Sequence, residues 1–294
     1  MLKGKIIKGI AGFYYVHTPD NNQIYECKAK GIFRNQKIKP LVGDDVIINI
    51  SDQPEGKGTI TDILPRKNEL IRPAVANIDQ AMVLFAAAEP NPNLNLLDRF
   101  LIMMQKQKVD TVVCFNKKDI VTNEELNLLE ETYERCGCKV VFTSMKQGNG
   151  IEELSDLIRR KTTVLAGPSG VGKSTFINLI QPEANMETGK VSDKIKRGKH
   201  TTRHSELIFV EQDTYIMDTP GFSSLYINEM DKEELKDYFV EFLEYEEECR
   251  FIGCSHLNEP GCAVKEALEN HKISHIRYEN YVLLYEELKN QKRY

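Results

Sequence analysis

The nine residues from 167 to 175 constrain this chain more than any other segment. They are Gly167, Pro168, Ser169, Gly170, Val171, Gly172, Lys173, Ser174 and Thr175, and the first eight fit the pattern Gly-x4-Gly-Lys-(Ser/Thr). Glycines let consecutive backbone N–H groups turn inward and surround a phosphate. In such loops the lysine meets the β- and γ-phosphate oxygens, and the next hydroxyl binds Mg²⁺. We therefore expect a nucleotide-binding loop in which Lys173 supplies charge and Ser174 is a magnesium ligand.

Alternating strand and helix patterns precede this loop. Buried-strand runs are predicted at residues 80–86, 110–115, 139–142 and 162–166, and helical periodicity is predicted at residues 94–107, 124–136 and 151–160. This alternation favours an α/β domain with a mostly parallel sheet and helices on both faces. The phosphate loop joins the last of these strands to a helix that begins near Thr175, as the pattern requires.

The first 68 residues have a different texture. Five short strand-like runs, separated by turn residues, predict a small OB-type β-barrel. Residues 1–42 hold eight lysines and arginines against two acidic residues, a net charge of +6. We therefore expect RNA binding here, and the alternative is a barrel that only packs against its neighbour. The expected phosphate contacts are Lys28, Lys30, Arg34, Lys37 and Lys39.

Two further motifs follow strands upstream of the phosphate loop. Asn116, Lys117, Lys118 and Asp119 fit the Asn-Lys-x-Asp pattern that reads guanine in GTPases. A carboxylate at Asp119 accepts two hydrogen bonds from the guanine edge, which adenine does not offer. The next strand ends in Thr143 and Ser144, which fit the element that backs the guanine oxygen. Two such elements at neighbouring strand ends favour a GTP site over an ATP site.

Downstream of the loop lie residues expected to sense the γ-phosphate. Asp218 to Gly221 fit Asp-x-x-Gly, in which Asp218 approaches Mg²⁺ and the Gly221 N–H meets the γ-phosphate. Residues 198–204 are polar and are expected to form a loop in which Thr201 or Thr202 completes the magnesium shell, as in switch loops.

These motifs occur in a circularly permuted order, because GTPases ordinarily begin with the phosphate loop and end with the base-reading pair. The expected domains are an OB-fold at 1–68, a permuted GTPase domain at 69–226 and a helical zinc-binding domain at 227–294. In the third segment, helices are predicted at residues 231–247 and 264–289, with solvated acidic faces.

Four metal-binding side chains lie close together near the C-terminus. They are Cys249, Cys254, His256 and Cys262. Three thiolates and an imidazole suit tetrahedral Zn²⁺, and four protein ligands indicate one closed structural site.

Composition limits the cellular setting. The chain has 294 residues, of which 41% are hydrophobic and 28% are charged, and its net charge is −5. No signal peptide is apparent, and the longest apolar run, residues 81–88, is too short for a membrane span. We expect a cytoplasmic monomer without a membrane partner and without disulfides.

The motif order, the barrel and the Cys3His cluster together resemble the RsgA (YjeQ/YloQ) family of bacterial ribosome small-subunit-dependent GTPases. The resemblance covers essentially the whole chain. It implies GTP hydrolysis stimulated by the small (30S) ribosomal subunit during late maturation, with GTP or GDP, Mg²⁺ and one structural Zn²⁺ bound. It also implies contacts of the barrel and the zinc domain with 16S rRNA.

The sequence departs from the common GTPase pattern at the position that orients water. Phe222 follows Asp-x-x-Gly where many GTPases have glutamine, so slow intrinsic turnover is expected. His200 matches the histidine of the family's Gly-Arg-His-Thr-Thr run, although Lys199 replaces the arginine. It either positions water or contacts RNA or solvent. Two other readings stay open, a non-catalytic GTP-binding RNA-binding module and a P-loop ATPase or kinase.

Overall fold

A computed structural model describes residues 1–31, 33, 38–51, 56–70, 74–184, 186, 206–218, 227 and 230–291. The chain divides into two compact units. The first unit joins Met1–Met82, Glu152–Ala166 and Lys173–Gly221, and the second joins Val83–Ile151, Gly167–Gly172 and Phe222–Tyr294. Among the described residues, no helix is both long enough and apolar enough to cross a bilayer.

The first unit begins with a closed barrel of five strands. They are β1 (Leu2–Ile10), β2 (Phe13–Thr18), β3 (Gln23–Ala29), β4 (Asp45–Ile50) and β5 (Lys57–Ile63). The strands pair in the order β1-β2-β3-β5-β4, and β3 runs parallel to β5. Inward-pointing side chains fill the interior, among them Ile6, Val16, Cys27, Val46, Ile48 and Ile60. The predicted OB-type barrel is confirmed.

A six-stranded sheet forms the centre of the α/β domain. Its strands in the described chain are β8 (Gln80–Ala86), β9 (Asp110–Asn116), β10 (Lys139–Phe142), β11 (Thr162–Ala166), β12 (Leu207–Phe209) and β13 (Tyr215–Asp218). Their order is β10-β9-β8-β11-β13-β12. The pairs β9–β10 and β11–β13 are parallel, and β12 pairs antiparallel with β13. The short strands β6 (Glu69–Leu70) and β7 (Val75–Ala76) pair separately.

Helices connect the strands, and two of them have clear start signals. The helices are α1 (Leu94–Lys106), α2 (Asn123–Tyr133), α3 (Ile151–Ile158) and α4 (Lys173–Ile180). The side chain of Asn93 accepts the Leu96 N–H at the start of α1, and Thr122 with Glu125 forms a capping box at the start of α2. These helices agree with the periodicity of the sequence, apart from differences at their ends.

Within the first unit, the barrel contacts the hairpin formed by β12 and β13. His17 of β2 is buried, and its Nδ1 lies 2.8 Å from the Tyr215 hydroxyl. Its Nε2 lies 2.9 Å from Asn22 Oδ1, and its ring stacks on Phe209 with 4.2 Å between centroids. The barrel is therefore attached to the strand that ends at Asp218.

The C-terminal helices are shorter than the sequence predicts. The segment predicted at 231–247 holds a 3-10 turn (Leu235–Tyr238) and α5 (Val240–Glu246), and the segment predicted at 264–289 is divided into α6 (Ala263–Glu269) and α7 (His275–Asn290). The second break arises because His271 has a φ of 55° and donates its N–H to the Leu268 carbonyl, which ends α6.

A buried ionic network connects α1, α5 and α7 in the second unit. Arg277 donates from Nε to Glu241 Oε1 over 2.7 Å and from Nη1 to Asp98. Asn280 donates to the other Asp98 oxygen over 2.6 Å. Burial opposes the charge of Arg277, but the two carboxylates outweigh it, so its pKa lies well above its usual value. The expectation of solvated acidic faces is therefore wrong at Glu241, because Arg277 compensates its buried charge.

Removal of one carboxylate from this network should be costly. We predict that Asp98→Ala lowers the free energy of unfolding by about 3 kcal/mol, because it leaves Arg277 and Asn280 buried with fewer partners. Urea unfolding followed by circular dichroism measures this loss. The control is Asp156→Ala, which removes an exposed ion pair with Arg159 and should cost less than about 1 kcal/mol. Equal losses in the two variants would contradict the importance of the network.

Candidate nucleotide and zinc sites

The phosphate loop passes very close to neighbouring backbone, which explains its glycines. The loop leaves β11 after Ala166, and α4 begins at Lys173. Gly167 has a φ of 136°, and a Cβ there would lie 2.0 Å from the Leu84 carbonyl oxygen. No side chain fits at this position, so glycine is required by both conformation and space.

Asn116, the first residue of one predicted base-reading segment, connects the phosphate loop to the other one. Its Nδ2 donates to the Val171 carbonyl over 2.8 Å, and its Oδ1 accepts from the Met145 N–H over 3.0 Å and from the Thr143 hydroxyl over 3.3 Å. A Cβ on Gly172 would lie 2.4 Å from Asn116 Nδ2. The side chain is almost fully buried, so these bonds are shielded from water.

Asp119 is oriented by the segment that follows β10. The Ser144 hydroxyl donates to Asp119 Oδ1 over 2.6 Å, and the Lys118 N–H donates to the Thr143 carbonyl over 3.0 Å. Thr143 and Ser144 are themselves fully buried. Their side chains therefore contact other protein groups. Asp119 is only half-buried, so part of its surface remains accessible.

Lys117 contacts a segment that the sequence did not single out. It has a φ of 69°, and its ammonium donates to the Glu89 carbonyl in the turn after β8. The same turn approaches the phosphate loop, since a Cβ on Gly170 would lie 4.0 Å from Pro90 Cδ. The sequence offers only a weak indication that this turn belongs to the site, because a proline-containing turn after a buried strand is common at the edge of any parallel sheet.

For the remaining predicted site residues, the structure gives the position in an element for some and does not describe the others. Lys173, Ser174 and Thr175 lie in the first turn of α4 and are half-buried, and Pro168 and Ser169 lie in the loop before it. Asp218 is the last residue of β13. His200, Thr201, Thr202, Gly221, Arg34 and Lys37 lie outside the described residues.

The four predicted zinc ligands converge in the second unit. The ligand atoms of Cys249, Cys254, His256 and Cys262 all lie within 4.8 Å of one another. The surrounding loop is fixed to α7, because the Tyr278 hydroxyl donates to the His256 carbonyl over 2.6 Å and the Tyr281 hydroxyl donates to the Ser255 carbonyl over 2.7 Å.

The spacing of these atoms fits a tetrahedral metal site. Zinc–sulfur bonds of about 2.3 Å place two ligand sulfurs about 3.8 Å apart, and a sulfur and a ring nitrogen about 3.6 Å apart. The Cys249 and Cys262 sulfurs are 4.0 Å apart, and His256 Nδ1 lies 3.7 Å and 3.4 Å from them. Burial lowers the pKa of His256 to about 4, which keeps its imidazole neutral, as a ligand must be. This cluster therefore fits a structural zinc site.

Comparison with known families decides the relationship of the chain. The family model for the RsgA GTPase matches residues 63–228, and the model for the RsgA N-terminal domain matches residues 3–60. The chain belongs to the RsgA GTPase family. The predicted family is thus confirmed, and RsgA GTPases bind GTP with Mg²⁺.

Relatives and solved structures of the RsgA family cover the whole chain. The protein named small ribosomal subunit biogenesis GTPase RsgA from Agathobacter rectalis is 57% identical over 100% of both chains. The protein of that name from Alkaliphilus metalliredigens is 51% identical, again over 100% of both chains. The crystal structure of YjeQ from Thermotoga maritima has a TM-score of 0.83 and 36% identity over 99% of each chain. YloQ, a circularly permuted GTPase, has a TM-score of 0.78 and 38% identity over 100% of this chain and 97% of its own. These matches confirm the predicted fold class.

The close approach at Gly172 yields a specific test. We predict that Gly172→Ala lowers affinity for GDP by about a hundredfold, because the methyl group displaces Asn116 and strains a left-handed backbone. Titration with a fluorescent GDP analogue measures the loss. Gly56→Ala is the matched control, since Gly56 also has a positive φ (77°) but has nothing within 4 Å of its Cβ position. Similar affinities in both variants would refute the role assigned to this contact.

The zinc site predicts a metal content and its dependence on one thiol. We expect one equivalent of zinc per chain in protein purified without added metal, and strong loss of it in Cys254→Ser. Elemental analysis gives both values. Cys138→Ser, a change at a half-buried thiol outside the cluster, should keep the full equivalent. Zinc well below one equivalent in the parent protein would exclude the closed site.

Proposed function

We propose that this protein is a GTP hydrolase that binds the small ribosomal subunit and is stimulated by it during late 30S maturation. The observation that carries the proposal is the Asn116 side chain, which joins a phosphate loop to two base-reading segments within one buried hydrogen-bond set. Relatives that are half or more identical over the full chain are named small ribosomal subunit biogenesis GTPases, which supports the partner.

The nucleotide-binding roles are assigned to residues of three segments. Lys173 carries the positive charge that meets the β- and γ-phosphates, and the N–H groups of residues 167–172 surround them. Asp119, held by Ser144, accepts hydrogen bonds from the guanine edge, and Lys117 lies along the base. Thr143 and Ser144 act as positioning residues, because they are buried against Asn116 and Asp119.

The divalent ion is assigned to hydroxyl and carboxylate ligands. Ser174, Asp218 and one of Thr201 and Thr202 would hold Mg²⁺, which when bound neutralises charge on the β- and γ-phosphates. Gly221 would sense the γ-phosphate through its N–H. Cys249, Cys254, His256 and Cys262 would hold Zn²⁺, which fixes the loop and takes no part in hydrolysis.

We divide the chain into an OB-fold domain at 1–68, a permuted GTPase domain at 69–226 and a zinc-binding domain at 227–294, and we assign the RNA-binding surfaces to the first and the third. The barrel and the zinc domain are assigned to 16S rRNA, with Lys28, Lys30, Arg34, Lys37 and Lys39 as barrel phosphate contacts. A basic barrel in an acidic protein supports an electrostatic RNA contact at this end. We assign the protein to the cytoplasm as a monomer without a membrane partner.

The central test is turnover in the presence of ribosomal particles. We predict that purified 30S subunits raise the rate of GTP hydrolysis at least about tenfold, because the sequence has Phe222 at the position where many GTPases have the glutamine that orients water. Phosphate release is measured with 30S, 50S and 70S particles, with ATP as a competitor. Binding without stimulated turnover would favour the GTP-dependent RNA-binding module, and equal competition by ATP would contradict guanine recognition.

His200 is assigned as the group that positions water. We predict that His200→Ala keeps GTP affinity but loses most of the 30S-stimulated turnover, because imidazole can orient or polarise water. Single-turnover hydrolysis with saturating 30S measures this, and His204→Ala is the matched control four residues further along the sequence. Unchanged stimulated turnover in His200→Ala would remove the assignment.

A further inference from the structure

A cavity on the outside of the barrel combines aromatic rings with lysines. It has a volume of about 670 Å³, and we call it the barrel pocket. The residues that line it include the aromatic residues Phe13, Tyr14 and Phe33 and the lysines Lys28, Lys30 and Lys39. A cavity of this size accommodates a group as large as a nucleotide.

The charge of the barrel pocket has one sign. Three of the described residues that line it are lysines, and none of them is an aspartate or glutamate. Lys28 and Lys30 are exposed at the end of β3, and Lys39 is exposed in the segment before β4. The pocket therefore attracts an anion, and salt should weaken that attraction.

The Phe13 ring is placed for stacking. Phe13 pairs directly with Lys28 across β2 and β3, and the Lys28 ammonium lies 5.0 Å from the centroid of the Phe13 ring. Phe13 is half-exposed, whereas Val16 and Cys27 of the same two strands fill the barrel interior. The Phe13 ring is therefore not needed to complete the barrel core. Because a lysine side chain has a flexible four-carbon stem, the exposed Lys28 ammonium can leave the ring for a phosphate when a flat ligand covers the ring face.

We propose that the barrel pocket binds one unpaired nucleotide of an RNA strand, with its base stacked on Phe13 and its phosphates held by Lys28, Lys30 and Lys39. The inference rests on the proposed function, in which the barrel contacts ribosomal RNA, and it specifies what kind of RNA is bound. A base in a duplex is stacked inside the helix and does not enter a concave pocket. The phosphates of a convex RNA duplex could contact the lysines, but no base of the duplex would stack on an aromatic ring.

The test compares RNA ligands that differ only in their bases. The full-length protein is titrated with a fluorescently labelled six-nucleotide single-stranded RNA, with an abasic strand of the same length and charge, and with a blunt RNA duplex. Stacking of one base should make the intact strand bind about tenfold more tightly than the abasic strand. Equal affinity for the intact and abasic strands, or a preference for the duplex, would overturn the proposal.

Two barrel variants identify the pocket. Phe13→Leu keeps an apolar side chain but removes the ring, so it should bind the intact strand only as tightly as the abasic strand. Tyr15→Leu is the matched aromatic control on the same strand; Tyr15 does not line the pocket, and its hydroxyl donates to Glu26 over 3.4 Å. It should keep the tenfold preference. Loss of the preference in both variants, or in neither, would refute the pocket.

A second readout covers the case in which Phe13→Leu fails to fold. In the parent protein, a 2-aminopurine base in the strand should lose fluorescence on binding, because stacking on an aromatic ring quenches it. Lys28→Met should weaken the intact and abasic strands equally. Unquenched 2-aminopurine, or preferential binding of an aspartate-rich peptide, would contradict a nucleotide ligand. Stimulation of GTP hydrolysis by 30S subunits, measured on the same samples, separates failure of this inference from failure of the proposed function.

Discussion

The hydrogen bonds of the Asn116 side chain are the interaction on which the nucleotide site depends. One amide at the end of β9 donates to the phosphate loop and accepts from the segment after β10, so three separate parts of the chain share one position. The contact requires glycine at 172, because there is no room for a Cβ beside the amide. The Asn116 hydrogen bonds require that these strand ends be adjacent in space, and they do not depend on the order of the strands along the chain. This explains how a permuted chain retains the site.

The helix α7 has a comparable role in the C-terminal region. Tyr278 and Tyr281 bond to the zinc loop, while Arg277 and Asn280 bond to Asp98 of α1. These residues lie within about one turn and a half of helix, so one rigid element supports the metal loop and also joins it to α1. The loop that holds the zinc ligands is therefore linked through α7 to α1, the helix that follows the turn at Glu89.

Much of this organisation was readable in the sequence, and the failures have physical reasons. Motifs such as residues 167–175 and the four metal ligands constrain local chemistry strongly, so they locate sites without tertiary information. Glu241 and Glu244 look alike in the sequence, yet Glu241 is buried against Arg277 and Glu244 lies exposed beside Arg135. Which of them is buried depends on a partner far away in the chain. The break at His271 likewise depends on local backbone bonds that hydrophobic periodicity does not report.

The contact between His17 and Tyr215 has a consequence for the order of events during synthesis. All five barrel strands lie within the first 63 residues, so the barrel can close as soon as they emerge. Tyr215, the partner of His17, lies 198 residues further along the chain and is synthesised later. At about 5–20 residues per second, Tyr215 is synthesised roughly 10 to 40 seconds after His17. The barrel is thus complete while its attachment to the hairpin is still being translated, and the nascent chain presents a basic domain before it has a finished nucleotide site.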